Sequence, residues 1–373
     1  MRVVQKDFTG CLLMRRRPAA RRGEMSSMGF PDALAAIERR AASDFLLARE
    51  RWSASLKNAV SIESWTQRFW MAGRLTLNMH PDRLDRNGRT VAAGLAADGE
   101  YRSQWITGIS AGSRSAIPGG ERHRFERELF DGAYDDVESL SGQHPVYGSL
   151  DLLFDEHGGS PRFGSSYLVL ASHVRQRTTF CLGDSHQVPR DVGTFDQPWG
   201  VLAGLAEQAQ QGRLLNRGLG PDALRAVLNG EYRLARASRD LDGYVEIQIH
   251  GGVSLVDDVE AVIVDPSFRG TDIEHHLASA AERFGFELGW NCGSVLNIED
   301  VPSDFRGPTM PPLARQVADT AGIVHARAIG VAAAHLRFED QKPGGDDADS
   351  ALQHLKYLWH TVLAHGHDDE SAR

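Results

Sequence analysis

Cysteine is scarce: only Cys11, Cys181 and Cys292 occur in 373 residues, an odd number with no CxxC spacing. Such a set builds neither a disulfide framework nor a cysteine-paired zinc site, and it fits a reducing compartment. Long apolar runs are missing as well. No stretch approaches the ~20 residues needed to cross a bilayer, and the N-terminus lacks a continuous apolar segment of the secretory kind. The expectation is a soluble, cytoplasmic protein that leaves room for export by a specialised secretion route. A basic excess is also absent, since 41 Lys and Arg face 50 Asp and Glu for a formal charge of -9. That balance argues against nucleic acid as the main partner, though not against a local basic pocket. No internal repeat is visible. What remains is 41% hydrophobic and 24% charged, ordinary globular usage at a length that suits one large domain or two smaller ones.

Residues 1–28 are basic and Met-studded, with Arg15-Arg16-Arg17 and Arg21-Arg22, and read as a disordered tail or an over-called start upstream of Met25 or Met28. Residues 29–72 read as a helical lead-in. From Pro31 to Met71, Asp32 is expected to cap a run in which Phe45, Leu46, Trp52, Leu56, Trp65, Phe69 and Trp70 recur at loose helical spacing. Leu75 to Met79 then alternates into Pro81, a strand ending in a loop. Short β-type runs follow at Val146–Phe154, Tyr167–Ala171, Thr178–Leu182, Tyr244–Ile249 and Val259–Val264. Between the third and fourth lies a helical insertion, residues 205–240, with Pro221 at a helix start and Asn229-Gly230 at its end. A helix after Asp265-Pro266 turns Ile273, Leu277, Ala280 and Phe284 inward, and a last one carries Leu352, Leu355, Leu358, Trp359 and Val362 to Gly366. Lys342 to Asp349 reads as a charged linker within a C-terminal helical region, residues 301–373. Strands gathered mid-chain with helices around them indicate an α+β fold with its core at residues 73–300.

The segment from Tyr244 to Gly252 carries most of the functional information. Its alternation puts Val245, Ile247 and Ile249 on one face of a strand and Glu246, Gln248 and His250 on the other. An apolar face of β-branched residues packs on a core, so the three polar side chains line a cleft, a partner surface or solvent. Other segments carry weaker signals. Pro161-Arg162-Phe163-Gly164-Ser165-Ser166-Tyr167 sets two hydroxyls directly before an apolar strand, where they either serve a site or satisfy a turn. His80-Pro81-Asp82-Arg83 gathers a base, a carboxylate and a cation at a strand end; the same His-Pro-Asp tripeptide occurs in J-domain co-chaperones, but there between two helices. Gly183-Asp184-Ser185-His186 resembles the nucleophile block of GDSL-type esterases, with Asp272-Ile273-Glu274-His275 as the matching second block, although both stand at unusual places in the chain. His275, His276, His360, His365 and His367 close no recognisable metal site.

Taken in order, His80-Pro81-Asp82-Arg83, the Thr107–Ser113 loop, Val146-Tyr147-Gly148, Phe163–Tyr167 and Tyr244–Gly251 resemble a bacterial family, a domain of unknown function, that includes threonine-specific ubiquitin ADP-ribosyltransferase effectors. The likeness spans about residues 70–300. Its order is that of PARP-like and toxin-like transferases: a first strand with a histidine or arginine, a Ser- or Tyr-bearing strand, then a glutamate strand. The resemblance implies an ADP-ribosyltransferase-like split sheet and NAD as co-substrate, with no metal. It also implies transfer of one ADP-ribose to a hydroxyl of a protein target, ubiquitin among the expectations, with no nucleic acid or membrane involved. It would make Glu246 the residue that stabilises the oxocarbenium-like centre, Gln248 an acceptor-positioning group, and Asp82 the base that takes the acceptor proton. His80, Arg83, Ser113, Tyr147, Ser165, Ser166 and Tyr167 would hold the dinucleotide, with Tyr147 and Tyr167 both open for the nicotinamide pocket. Two other readings stand beside it, a GDSL-like hydrolase using Ser185 and a non-catalytic binding module of the same fold.

Overall fold

Eight alternating segments build the sheet at the centre of the computed structural model, which describes residues 30–56, 61–109, 116–136, 142–234, 240–339 and 346–370. They are β1 (Arg74–Met79), β2 (Val146–Asp151), β3 (Ser166–Leu170), β4 (Thr178–Leu182), β5 (Val192–Thr194), β6 (Val245–Ile249), β7 (Val259–Val264) and β8 (Glu287–Trp290). Their hydrogen-bonded order is β8-β7-β3-β1-β2-β6-β4-β5. Seven pairings join them; six are antiparallel, and β7 with β8 is parallel. A parallel neighbour needs a crossover, which the helix Asp272–Phe284 supplies. The α+β class expected from the sequence is therefore what the chain adopts, with helices before and after the sheet. The sheet is one hydrogen-bonded unit rather than a split one.

Helices α1 (Phe30–Ser43), α2 (Phe45–Ser55) and α3 (Ile62–Ala72) precede β1. Trp52, Ile62 and Phe69 are buried and share one core with the apolar sheet face, Leu75, Leu77, Val245, Ile247 and Ile249 among it. Charge adds to apolar packing here: Arg51 donates to Asp191 at 2.7 Å and to Glu207 at 2.6 Å, tying α2 to β5 and to the helix Trp199–Gln210. Asp32 lies inside the first turn of α1 rather than before it, because the helix begins at Phe30. The insertion is also more central than its polar composition implies. The helix Trp199–Gln210 begins before it and runs into it, burying Leu205, Ala206 and Ala209 of the insertion completely. The charged linker is shorter than read, since the last helix starts at Asp346 and runs to His365. His80-Pro81-Asp82 follows strand β1, so the helical hairpin of a J-domain is not there. No helix of the described residues is long and apolar enough to cross a membrane.

Candidate functional site

Strand registry turns the alternation of β6 into a buried polar surface. Thr76 faces Ser149, Ser149 faces Glu246 and Glu246 faces Cys181, a row across β1, β2, β6 and β4; Tyr147, Gln248 and Thr179 form the next row. Directly paired residues of antiparallel strands share a face, so all these side chains point the same way. Tyr147 is half-buried and the rest are shut away from solvent: Thr76, Ser149 and Thr179 are 0% exposed, Gln248 1% and Glu246 4%. The solvated polar face that such a strand usually shows is excluded. Gly158 and Gly159 let the loop after β2 lie on this face, since a Cβ on Gly159 would meet the Ser149 hydroxyl at 2.4 Å.

Glu246 stands at the receiving end of a one-way hydrogen-bond chain. An ionised carboxylate only accepts, so Gln248 turns its Nε2 to Glu246 Oε1 at 3.0 Å. The Gln248 Oε1 then accepts from Thr179 Oγ1 at 2.8 Å, which spends the only hydroxyl proton of Thr179. Thr179 must in turn accept from His250 Nε2–H at 3.0 Å, leaving Nδ1 to accept from the Tyr134 hydroxyl at 2.6 Å. This assigns His250 as the neutral Nε2–H tautomer. Burial, helped by the Arg177 charge, drives its pKa down to about 3, in accord with that assignment. Burial first and the Asp184 carboxylate second push Glu246 up to about 7, against the pull of the Ser185 hydroxyl and backbone N–H and of Gln248. Ser185 thus serves Glu246. The Asp272 and His275 that a hydrolase would need lie on Asp272–Phe284, which packs against β8 at the far edge of the sheet from β4.

Thr179→Val keeps the shape of this row and removes its hydroxyl. It is expected to leave His250 Nε2–H and Gln248 Oε1 unpaired and to lower unfolding stability by about 1–3 kcal/mol in a denaturant melt. Thr179→Ser should recover most of that loss, which a simple packing defect would not allow.

A second carboxylate, which the sequence reading passed over, organises the neighbouring wall. Glu126 is 1% exposed on the helix Glu121–Leu129 and accepts from His144 Nδ1 at 2.5 Å, Tyr147 Oη at 2.8 Å and Trp105 Nε1 at 3.2 Å. Arg122 lies 3.7 Å from it and over the Tyr147 ring. Tyr147 is therefore fixed beside Glu246 by a charged hub built from three separate stretches of chain. Its pKa is raised by burial, then by Glu126.

The third group gathers at the end of β1. His80 is buried with its ring edge-on to Trp359 of the last helix, and burial with the Arg83, His360 and Lys356 charges holds its pKa well below the usual value. Asp82 rests against Gly330, and burial raises it to about 6 against the pull of Arg83. Lys356, lowered to about 8 by burial and Arg162, feels Asp184, which in turn acts on Glu246. Lys356 and Asp184 thus stand within electrostatic reach of His80 and Glu246 respectively. The electrostatic neighbours of Asp82 are Arg83 and Asp265, not Glu246.

Of the other expected site residues, Tyr167 shares the polar face, opposite Asn78, and stacks under Arg74. Ser165 is buried just before it. Ser166 pairs with Met79 and its hydroxyl accepts from the Asp265 backbone N–H, so it points to the other face and is taken. Ser113 lies outside the described residues. Among the described residues the buried Tyr244 hydroxyl, Ser165 Oγ, Asp82 Oδ1 and His360 Nδ1 have no hydrogen-bond partner. Buried polar atoms without partners are costly, and those beside a functional group are what a bound ligand would satisfy. Arg74, at the start of β1, is held by Asp151 at 2.9 Å and the Asp155 carbonyl at 2.7 Å.

Comparison with known proteins agrees with a shared core that starts at β1. A family described as "Protein of unknown function (DUF3626)" matches residues 74–365. A stretch of 171 residues is 27% identical to the "Gene 2 protein" of Mycobacterium phage L5, covering 45% of this chain and 59% of the phage protein. The chain thus spans less than two thirds of that relative.

Proposed function

The chain belongs to this family of proteins of unknown function (DUF3626), and from that premise we propose that it is an NAD-dependent mono-ADP-ribosyltransferase acting on a hydroxyl of a protein target. The observation that carries the reading is Glu246, a carboxylate on a buried polar sheet face, aimed by a chain of donors and within electrostatic reach of the buried, unpartnered Tyr244 hydroxyl two residues before it. Support comes also from topology. The first strand with Arg74 and His80 at its ends, the strand of Tyr167 and the strand of Glu246 belong to one sheet, in the order β3-β1-β2-β6.

In this reading the α+β core is ADP-ribosyltransferase-like. Its reaction breaks the bond between nicotinamide nitrogen and ribose C1′, and the acceptor oxygen forms the new bond to C1′. Glu246 would stabilise the positive charge that develops at the ribose and hold its hydroxyl, while the Tyr147 wall and Tyr167 enclose the nicotinamide. The acceptor hydroxyl gives up its proton to a base, the role the resemblance gives to Asp82, whose carboxyl is raised to about 6 but lies apart from Glu246 unless the acceptor bridges the two. His80 and Arg83 would bind ribose or phosphate. A threonine of ubiquitin is the acceptor the resemblance favours, with target choice on α1–α3 or the insertion; a bacterial protein would fit the same chemistry.

The test is mass spectrometry of nicotinamide and of protein mass after incubation with NAD, with and without ubiquitin. Nicotinamide release with an ADP-ribose shift on a protein supports the reading, and its absence under all conditions sinks it. The rate should rise with pH through about 7, because a carboxyl raised to about 7 is protonated and inactive below that point. Asp184→Asn should move the midpoint down by removing a negative neighbour. A profile flat from pH 5 to 8, as a carboxyl of the ordinary pKa of about 4 would give, would show that protonation of Glu246 does not limit the reaction in that range.

A further inference from the structure

Beside the polar face, three segments distant in sequence converge on one partly buried point. His157 comes from the loop after β2, Cys292 from the loop after β8, and Asp368 from the tail beyond the last helix. One potential ligand atom of each lies within 4.8 Å of the others. His157 Nε2 is 3.4 Å from Cys292 Sγ, close to the ~3.5 Å that a tetrahedral zinc ion imposes between a nitrogen at ~2.0 Å and a sulfur at ~2.3 Å. Glu156, exposed at the rim, stands near the same thiol. We propose that His157, Cys292 and Asp368, with Glu156 or water in the fourth place, form a zinc site that pins the C-terminal tail to the core.

The ligands are preorganised by contacts that exist without a metal. The Asp369 N–H donates to the Cys292 carbonyl at 3.0 Å, and His367 and Val295 exchange backbone hydrogen bonds, so the tail is in register with the loop. Gly293, at φ +67°, makes the turn; a Cβ there would meet Pro266 at 2.7 Å and Asp369 at 3.0 Å. The His157 N–H is held by Asp155 at 3.0 Å and its carbonyl accepts from Asn78 at 2.7 Å. One imidazole, one thiolate and one or two carboxylates form a mixed N, S and O set that favours Zn²⁺ over Mg²⁺ or Ca²⁺. On binding, the Cys292 thiol gives up one proton to solvent as the S–Zn bond forms. The spacing of the ligands hid them, since 135 residues separate His157 from Cys292. The role is structural: Asn291 of the same loop holds the Ser165 carbonyl at 2.9 Å, so the ion would brace the wall of the polar cleft from outside.

Cobalt titration of tag-free, chelator-stripped full-length protein tests this. Wild type should take up one Co²⁺ per chain with a thiolate-to-cobalt charge-transfer band, and zinc should bleach it. Cys292→Ser should lose that band, and Asp368→Asn, on the tail and remote from the core, should bind cobalt about tenfold or more weakly. Zinc should raise the melting temperature of wild type and not of Asp368→Asn. No charge-transfer band in wild type, or an unchanged band in Cys292→Ser, would overturn the site. These readouts need no NAD chemistry, so the proposal stands or falls apart from the transferase reading.

Discussion

Glu246→Gln is expected to cut nicotinamide release from NAD by on the order of 10²–10³-fold, the scale of removing one preorganised group that meets charge at the transition state. The same change should leave stability almost untouched, and that contrast is its diagnostic value. Glu246 is raised from the ordinary 4.5 to about 7, chiefly by burial, so its ionised form disfavours the fold above neutral pH. The sign follows from proton counting. Between about 4.5 and 7 the folded chain holds a proton that the unfolded chain has lost, so this group makes stability fall as pH rises through that window. Glutamine removes the slope, while its amide nitrogen set against the Ser185 N–H costs about 1 kcal/mol. Stopped release with a near-normal denaturant midpoint at pH 7.5 identifies a residue kept for chemistry. Collapse of both together would mark Glu246 as a structural carboxylate, and unchanged release would return the fold to a binding role.

The strand that carries Glu246 was legible in the sequence because alternation is a local property. Val245, Ile247 and Ile249 on one face and Glu246, Gln248 and His250 on the other are where the pattern puts them. What covers the polar face was not legible. Tyr134, Phe130 and α1 close over β4 and β5 through contacts between residues about fifty apart or more, which no local period encodes. Glu126 shows the same limit more sharply. On a helix with a strongly polar composition it reads as one more surface charge, and only the arrival of His144, Tyr147 and Trp105 makes it a buried hub. The lead-in read correctly as helical, yet its place in the core depends on Arg51 meeting Asp191 and Glu207, 140 and 156 residues away. His80 and Asp82 lie beside one another in sequence but turn to different neighbours, because the chain leaves β1 at Pro81 and the two side chains no longer follow the strand period.

Trp359→Ala should have the largest effect on stability, a loss of about 3–5 kcal/mol, the usual range for emptying a fully buried indole site. Trp359 is 0% exposed in the last helix, Asp346–His365, and its Nε1 donates to the Pro161 carbonyl at 2.9 Å. The next residue adds a second tie, His360 Nε2 to the Arg162 carbonyl at 3.3 Å. The helix is thereby fastened to the turn from which Ser165 and Tyr167 enter β3, and the indole also closes on His80 at 5.7 Å between ring centroids. Trp359→Phe separates the parts. It keeps most of the apolar volume and loses the hydrogen bond, so about 1–2 kcal/mol should go, the cost of an unpaired buried carbonyl. Denaturant melts with an unchanged m-value would read both numbers, and equal losses for Ala and Phe would show that the hydrogen bond rather than packing holds the helix. Because Trp359 touches His80 and not Glu246, the folded fraction of Trp359→Phe should show its defect in KM for NAD with kcat close to wild type. A fall in kcat instead would mean that the last helix positions the reacting groups themselves.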